Sequence, residues 1–311
     1  MSRSAPAATS TAVQDVPPAA AKHAAGTSME TPSGKGSKDE NFPVGSFLLP
    51  KALRPHVARF YAFARAIDDI ADNPTLAPED KVARLSAFER ALTTDNAEPG
   101  YETGARLRES LIETDVTPQH GCDLVSAFKQ DAVKHRYADW DELIDYCLRS
   151  ASPVGRYLLD LHGEDPSGYP QSDALCNALQ IINHLQDCRD DYEEMDRVYI
   201  PEDWLAAAGA DVTHLSAPRS SDGLRQVQLR CVRDTQALMV EAHRLPDKLK
   251  SRHLALESAV IVEIADQLLR ELAKRDPVAE RVELTKPQFL WCAIKGVVKT
   301  TARRSLGLRR A

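Results

Sequence analysis

From about residue 41 the chain repeats one pattern: apolar positions spaced by three and four, broken by short polar or proline-bearing links. Residues 53–72 carry a continuous helical pattern. Pro78-Glu79-Asp80 opens a helix over 79–94. Further helical segments cover 104–114, 118–135 and 139–149, the last with Asp139 placed to cap its first turn. Ser150-Ala151-Ser152-Pro153-Val154-Gly155 interrupts the pattern, and a following segment runs to about 162, before Gly163. Residues 172–195 form the longest apolar-periodic stretch. Pro201-Glu202-Asp203-Trp204 starts a short helix that Gly209 ends. Segments 222–245, 249–275 and 287–302 complete the series. Alternating strand-like runs are nearly absent and no internal repeat is visible. The pattern predicts an all-α single domain, a helical bundle with a polar site inside it.

Composition narrows this picture. Residues 1–40 are rich in Ala, Pro, Ser, Thr and Gly, which predicts a disordered N-terminal extension before a domain over 41–302. The net charge of −7 disfavours general nucleic-acid binding. Six cysteines, scattered without a CxxC pair, read as reduced thiols of a cytoplasmic protein. No apolar run approaches the roughly 20 residues of a membrane helix, and no secretory signal is visible. The last residues, 303–311, read as a basic tail: Lys299, Arg303, Arg304, Arg309 and Arg310 follow Lys295, with no acidic residue after Glu283. A solvated tail is the plain reading. Attraction to anionic lipid, about 1 kcal/mol per basic residue near the surface, is the other, and it predicts peripheral association at the inner face of the membrane.

Two acidic clusters carry the candidate chemistry. In Asp68-Asp69-Ile70-Ala71-Asp72, Asp68 and Asp72 share a helix face. Asn183, Asp187 and Asp191 repeat that step twice. One such cluster is usually a solvated face. Two, each preceded by apolar residues, propose carboxylates turned inward toward a cation. Oxygen-only ligation with few His or Cys nearby suits Mg²⁺, which pairs with substrate phosphates. Arg65 and Arg189 are placed either for helix salt bridges or for diphosphate oxygens. His184 reads as a packing residue rather than a base. No Gly-rich phosphate loop, GxSxG elbow or dinucleotide fingerprint is present.

Tyr61 through Asp72, and Asn183 through Asp191 followed by Arg197-Val198-Tyr199-Ile200-Pro201, resemble the two aspartate-rich motifs of the squalene/phytoene synthase family. Glu40-Asn41-Phe42-Pro43-Val44, the Leu-Leu-Pro at 48–50, Arg54-Pro55-His56-Val57, Arg136-Tyr137-Ala138-Asp139-Trp140 and Ser150 through Arg156 are similar to its hopanoid-pathway branch, the hydroxysqualene synthases. The similarity covers roughly 41–300. It implies an isoprenoid synthase bundle with a central cavity, catalytic Asp68, Asp72, Asp187 and Asp191, and Mg²⁺ held by these four with Asn183. Substrate contacts are assigned to Arg65, Asp69, Gln180, Arg189, Tyr146 and Phe63, with Phe60 a further aromatic candidate for a cation. The chain departs from many relatives at Ala64 (Cys), at Ser152-Pro153 (Gly-Thr) and at Gln186 (Arg). The implied reaction is presqualene diphosphate to hydroxysqualene, a carbon–oxygen lyase step in squalene and hopanoid synthesis, with other enzymes of that pathway as partners. Head-to-head condensation of farnesyl diphosphate to presqualene diphosphate or squalene, or a phytoene-type prenyltransferase reaction, is the nearest alternative. A class I terpene cyclase and a non-catalytic assembly factor that keeps the fold are the others.

Overall fold

The computed structural model describes residues 49–306. The expected extension over 1–40, the motif at 40–44 and Arg309 and Arg310 lie outside the described residues. Among those residues the secondary structure is helical throughout, with no strand. The order is α1 (Arg54–Ala71), α2 (Pro78–Thr93), α3 (Glu102–Thr114), α4 (Gln119–Asp131), α5 (Trp140–Ser150), α6 (Ser152–Leu161), α7 (Tyr169–Gln186), α8 (Cys188–Met195), α9 (Glu202–Ala207), α10 (Asp222–Ala242), α11 (Leu245–Lys248), α12 (Arg252–Lys274) and α13 (Lys286–Ser305).

Local chemistry explains most boundaries. The Asp139 carboxylate accepts from the Glu142 N–H at 2.9 Å and starts α5. Ser221 and Ser251 cap α10 and α12 in the same way, and Thr285 with Gln288 forms a capping box on α13. Three boundaries differ from the sequence pattern. The stretch expected as one helix over 172–195 is two, divided at Asp187, and it begins earlier, at Tyr169, because Pro170 fits a first turn. The helix expected over 118–135 stops at Asp131. The basic tail assigned to 303–311 begins inside α13, which continues to Ser305.

α7 is the axis of the bundle, packed against α5, α6, α10 and α12, while α1 packs against α2, α3 and α4. At Ala151, the one residue between α5 and α6, φ and ψ are −120° and −48°. Pro153 then sits in the first turn of α6, and the Ser152 hydroxyl donates to Asn177 Oδ1 at 2.9 Å. Gly155 permits close approach of α6 to α7: a Cβ there would collide with Ser172 Oγ and meet Cys176 Sγ at 2.6 Å. These contacts leave a cavity between α1 and α7, closed on its other sides by residues of α4, α5, α6, α8 and α12. The six cysteines form no disulfide.

Candidate active site

Helical spacing sorts α1 into two faces. Val57, Phe60, Tyr61, Ala64, Arg65, Asp68 and Asp72 line the cavity. Phe63, Ile67 and Ile70 point the other way and are fully buried, with Phe63 edge-on to Phe88 at 5.9 Å. On the cavity face Arg65 donates to Asp68 at 2.9 Å and reaches Asp69 at 3.5 Å. The opposite wall carries Gln180, Asn183 and His184 of α7 and Asp191 of α8.

The division at Asp187 does not destroy the acidic step. The Asp187 N–H still bonds the Asn183 carbonyl at 2.9 Å, and the Asp191 N–H bonds the Asp187 carbonyl at 2.8 Å. Burial pushes the Asp191 carboxyl up to about 8, and Asp187 and Asp72 add to the shift while Arg197 opposes it. Two further acidic side chains hold guanidinium groups from outside their own helix. Asp72 pairs with Arg197 at 2.5 Å, and Asp187 with Arg281 at 2.5 Å. The clusters thus draw cations from distant parts of the chain.

Beneath the acidic end lies a buried polar hub that the motif reading did not assign. Asp131 accepts from the Tyr146 hydroxyl at 2.6 Å and from the Tyr199 hydroxyl at 3.3 Å. Burial pushes Asp131 up to about 7, against Arg197 and the two hydroxyls. His184 stacks on Tyr199 with ring centroids 3.6 Å apart. Burial, aided by Arg197, pushes this imidazole down to about 3, so it is neutral at pH 7. For Arg197, burial lowers the pKa, but Tyr199, Asp72 and Asp131 outweigh it and keep the guanidinium charged. Arg197 also donates to the Ala71 carbonyl at 2.8 Å, tying the segment after α8 to the end of α1. The sequence signal was the Arg197-Val198-Tyr199 run. Asp131 gave none, because a lone Asp at a helix end looks like any other.

Away from this end the walls are apolar. Phe60 and Tyr157 stack at 3.9 Å, joined by Phe128, Val154, Leu158, Leu179, Ile182, Ile261 and Leu268. The Ser150 hydroxyl, at the break between α5 and α6, is buried on this wall without a hydrogen-bond partner. The cavity holds about 360 Å³, within the range of small-molecule sites.

Of the residues singled out from sequence, Asp68, Asp72, Asn183, Asp191, Arg65, Gln180 and Tyr146 are brought together on the cavity wall. Asp69 and Asp187 lie behind it, engaged with Arg65 and Arg281. Arg189 is directed away, donating to the Val278 carbonyl at 2.9 Å and pairing with Glu193. Phe63 belongs to the core between α1 and α2, and Phe60 takes its place at the cavity. Gln186, also off the wall, donates to the Val282 carbonyl at 2.6 Å. The wall's acidic donors, all oxygen, match the chemistry of Mg²⁺. Among the described residues, no three His, Cys, Asp or Glu side chains converge closely enough to hold an ion by themselves.

Comparison with known proteins agrees with this architecture. Residues 36–288 match the squalene/phytoene synthase family. The chain is 41% identical over 285 residues to a hydroxysqualene synthase of Rhodopseudomonas palustris, covering 90% of this chain and 96% of that one. It is 43% identical over 264 residues to the hydroxysqualene synthase of Zymomonas mobilis, covering 84% and 88%. Among solved structures it is similar to a squalene synthase, HpnC, from Alicyclobacillus acidocaldarius. That likeness has a TM-score of 0.60 and 29% identity, and covers 86% of this chain and 89% of the other. A dehydrosqualene synthase at 18% identity shares the fold, with a TM-score of 0.71.

Proposed function

The chain belongs to the squalene/phytoene synthase family, and we propose that it converts presqualene diphosphate to hydroxysqualene, releasing diphosphate. The observation that carries this reading is the division of one cavity into an acidic, cation-attracting end and an aromatic and aliphatic remainder. A prenyl diphosphate has the same two parts.

Asp68, Asp72, Asn183 and Asp191, which line the cavity, would hold Mg²⁺. When bound, the metal supplies positive charge against the negative charge that grows on the departing diphosphate. Arg65 of α1 and Gln180 of the facing α7 would orient the phosphate oxygens. Diphosphate leaves with the electron pair of the carbon–oxygen bond. The carbocation left behind is shielded by apolar side chains, and the faces of Phe60, Tyr157 and Tyr146 favour positive charge near them. The neutral His184 and the hydrogen-bonded tyrosines add no competing cation at this depth. Water then bonds to the rearranged cation and loses a proton, giving the alcohol. The Ser150 hydroxyl, buried on this wall without a partner, would hold that water.

The test is incubation of purified protein with Mg²⁺ and either presqualene diphosphate or farnesyl diphosphate, without nicotinamide. Hydroxysqualene from presqualene diphosphate is the expected outcome. Product from farnesyl diphosphate alone would replace this reading by a head-to-head condensation. No turnover of either would favour a non-catalytic role.

A further inference from the structure

α13 covers α12 with one face and leaves the other bare. Cys292, Gly296 and Thr300 are buried against the bundle. A Cβ at Gly296 would stand 2.7 Å from the Ala259 carbonyl oxygen, so the two backbones nearly touch. On the opposite side, steps of four place Leu290, Ile294 and Val298 in a row with Trp291 beside them. These four side chains are 60%, 47%, 61% and 64% exposed. The row contains no charged residue.

Charge lies along its flanks and is of one sign. Lys295 and Lys299 reach the buried Glu263 at 2.7 and 2.9 Å. Arg303 approaches the buried Asp247 at 3.6 Å. Both carboxylates lie underneath α13, and Glu271 of α12 accepts from Gln288 at the first turn of α13, at 3.2 Å. From Leu284 to Ala311 the sequence has no acidic residue and seven Lys or Arg.

We infer that this face of α13 docks the protein on an anionic lipid surface. Leu290, Trp291, Ile294 and Val298 enter the boundary between headgroups and acyl chains, with the helix lying in the plane. An apolar stripe bordered by basic side chains, on a helix too polar to cross a bilayer, is the arrangement that binds such an interface. Lys295 and Lys299 share the single carboxylate of Glu263, so the flank keeps a net positive charge that attracts anionic headgroups. A second copy of the chain fits less well. A two-fold contact through this face would bring two basic flanks together with no carboxylate of the same segment between them. The inference does not depend on the reaction carried out in the cavity.

Neutralising the terminal arginines is a poor test. Arg304 donates to the carbonyls of Pro246 and Leu249, and Arg303 faces Asp247, so their loss would disturb packing. The stripe itself is the better target. The full chain would be floated with vesicles of phosphatidylcholine, with and without phosphatidylglycerol, while tryptophan emission is followed. Trp140 and Trp204 are stacked on each other at 5.2 Å, so a change on binding reports Trp291. The wild type should float with the anionic vesicles only, with emission moving to the blue and binding lost at high salt. Trp291→Phe should still float while losing most of the emission change. Ile294→Asp/Val298→Asp should keep the wild-type melting temperature and bind roughly tenfold more weakly or less. No flotation of the wild type, or equal flotation of the double variant, would overturn the inference. So would a concentration-dependent dimer in sedimentation that the double variant dissolves, which would make this face an interface between copies.

Discussion

Replacing Arg197 by Met tests how the acidic end is held together. Met keeps much of the buried stem but removes the charge and every donor. Three interactions are lost: the ion pair to Asp72, the hydrogen bond to the Ala71 carbonyl and a weak one to the Met195 sulfur. The Asp72 side chain is 32% exposed, so solvent screens the pair and its loss costs only about 1 kcal/mol. Leaving the Ala71 carbonyl without its donor costs about 1–2 kcal/mol more. Asp131 limits the damage, because losing Arg197 raises its carboxyl pKa further and favours the neutral form. The sum, about 2–3 kcal/mol, lowers the melting temperature of a domain this size by about 4–6 °C. Calorimetry in metal-free buffer measures this directly. A cycle with Asp72→Asn separates the pair: that change should destabilise the wild type and be neutral or favourable beside Arg197→Met. A shift under about 1 °C, or strict additivity in the cycle, would refute the view that Arg197 clamps α1 to the segment after α8.

Other outcomes follow from the same geometry. Asp72→Ala or Asp191→Ala should lower Mg²⁺-dependent turnover by about 10²-fold or more while leaving helical circular dichroism intact, and near-normal rates in both would remove these residues from the site. Gly155→Val should cost about 1–3 kcal/mol, read as a lower melting temperature, because its side chain would press on Ser172 and Cys176. Burial raises the Glu263 pKa, but Lys295 and Lys299 outweigh it and hold the carboxyl below its ordinary 4.5. Its stabilising contribution is therefore present above that value and is lost as pH falls through the lower folded value. The gap in unfolding free energy between wild type and Glu263→Gln should be open at pH 7 and close in acid, and a gap that widens in acid would contradict the assignment.

The helical period made the bundle legible, because each long segment buries one stripe and wets the other. Capping residues such as Asp139 marked boundaries for the same local reason. The break at Asp187 was hidden, since Asn183, Asp187 and Asp191 keep their backbone spacing through it. Spacing could place Phe63 on a helix but not say which apolar face met the cavity, and the structure gives that role to Phe60. Arg189 and Arg197 look alike in sequence. Only tertiary contacts show that one staples the Val278 carbonyl while the other enters the acidic end. Asp131 with its tyrosines, and the bare face of α13, are products of assembly and left little local trace.

The central claim is that a carbon–oxygen bond ionises in the cavity and water captures the rearranged cation. Turnover of presqualene diphosphate in ¹⁸O-enriched water, with mass analysis of both products, tests it most directly. The account predicts one labelled oxygen in the hydroxyl of hydroxysqualene and none in the diphosphate as it is released. Label in the phosphate with an unlabelled alcohol would mean phosphorus–oxygen cleavage, and a hydrocarbon product without oxygen would mean that water is not the trap.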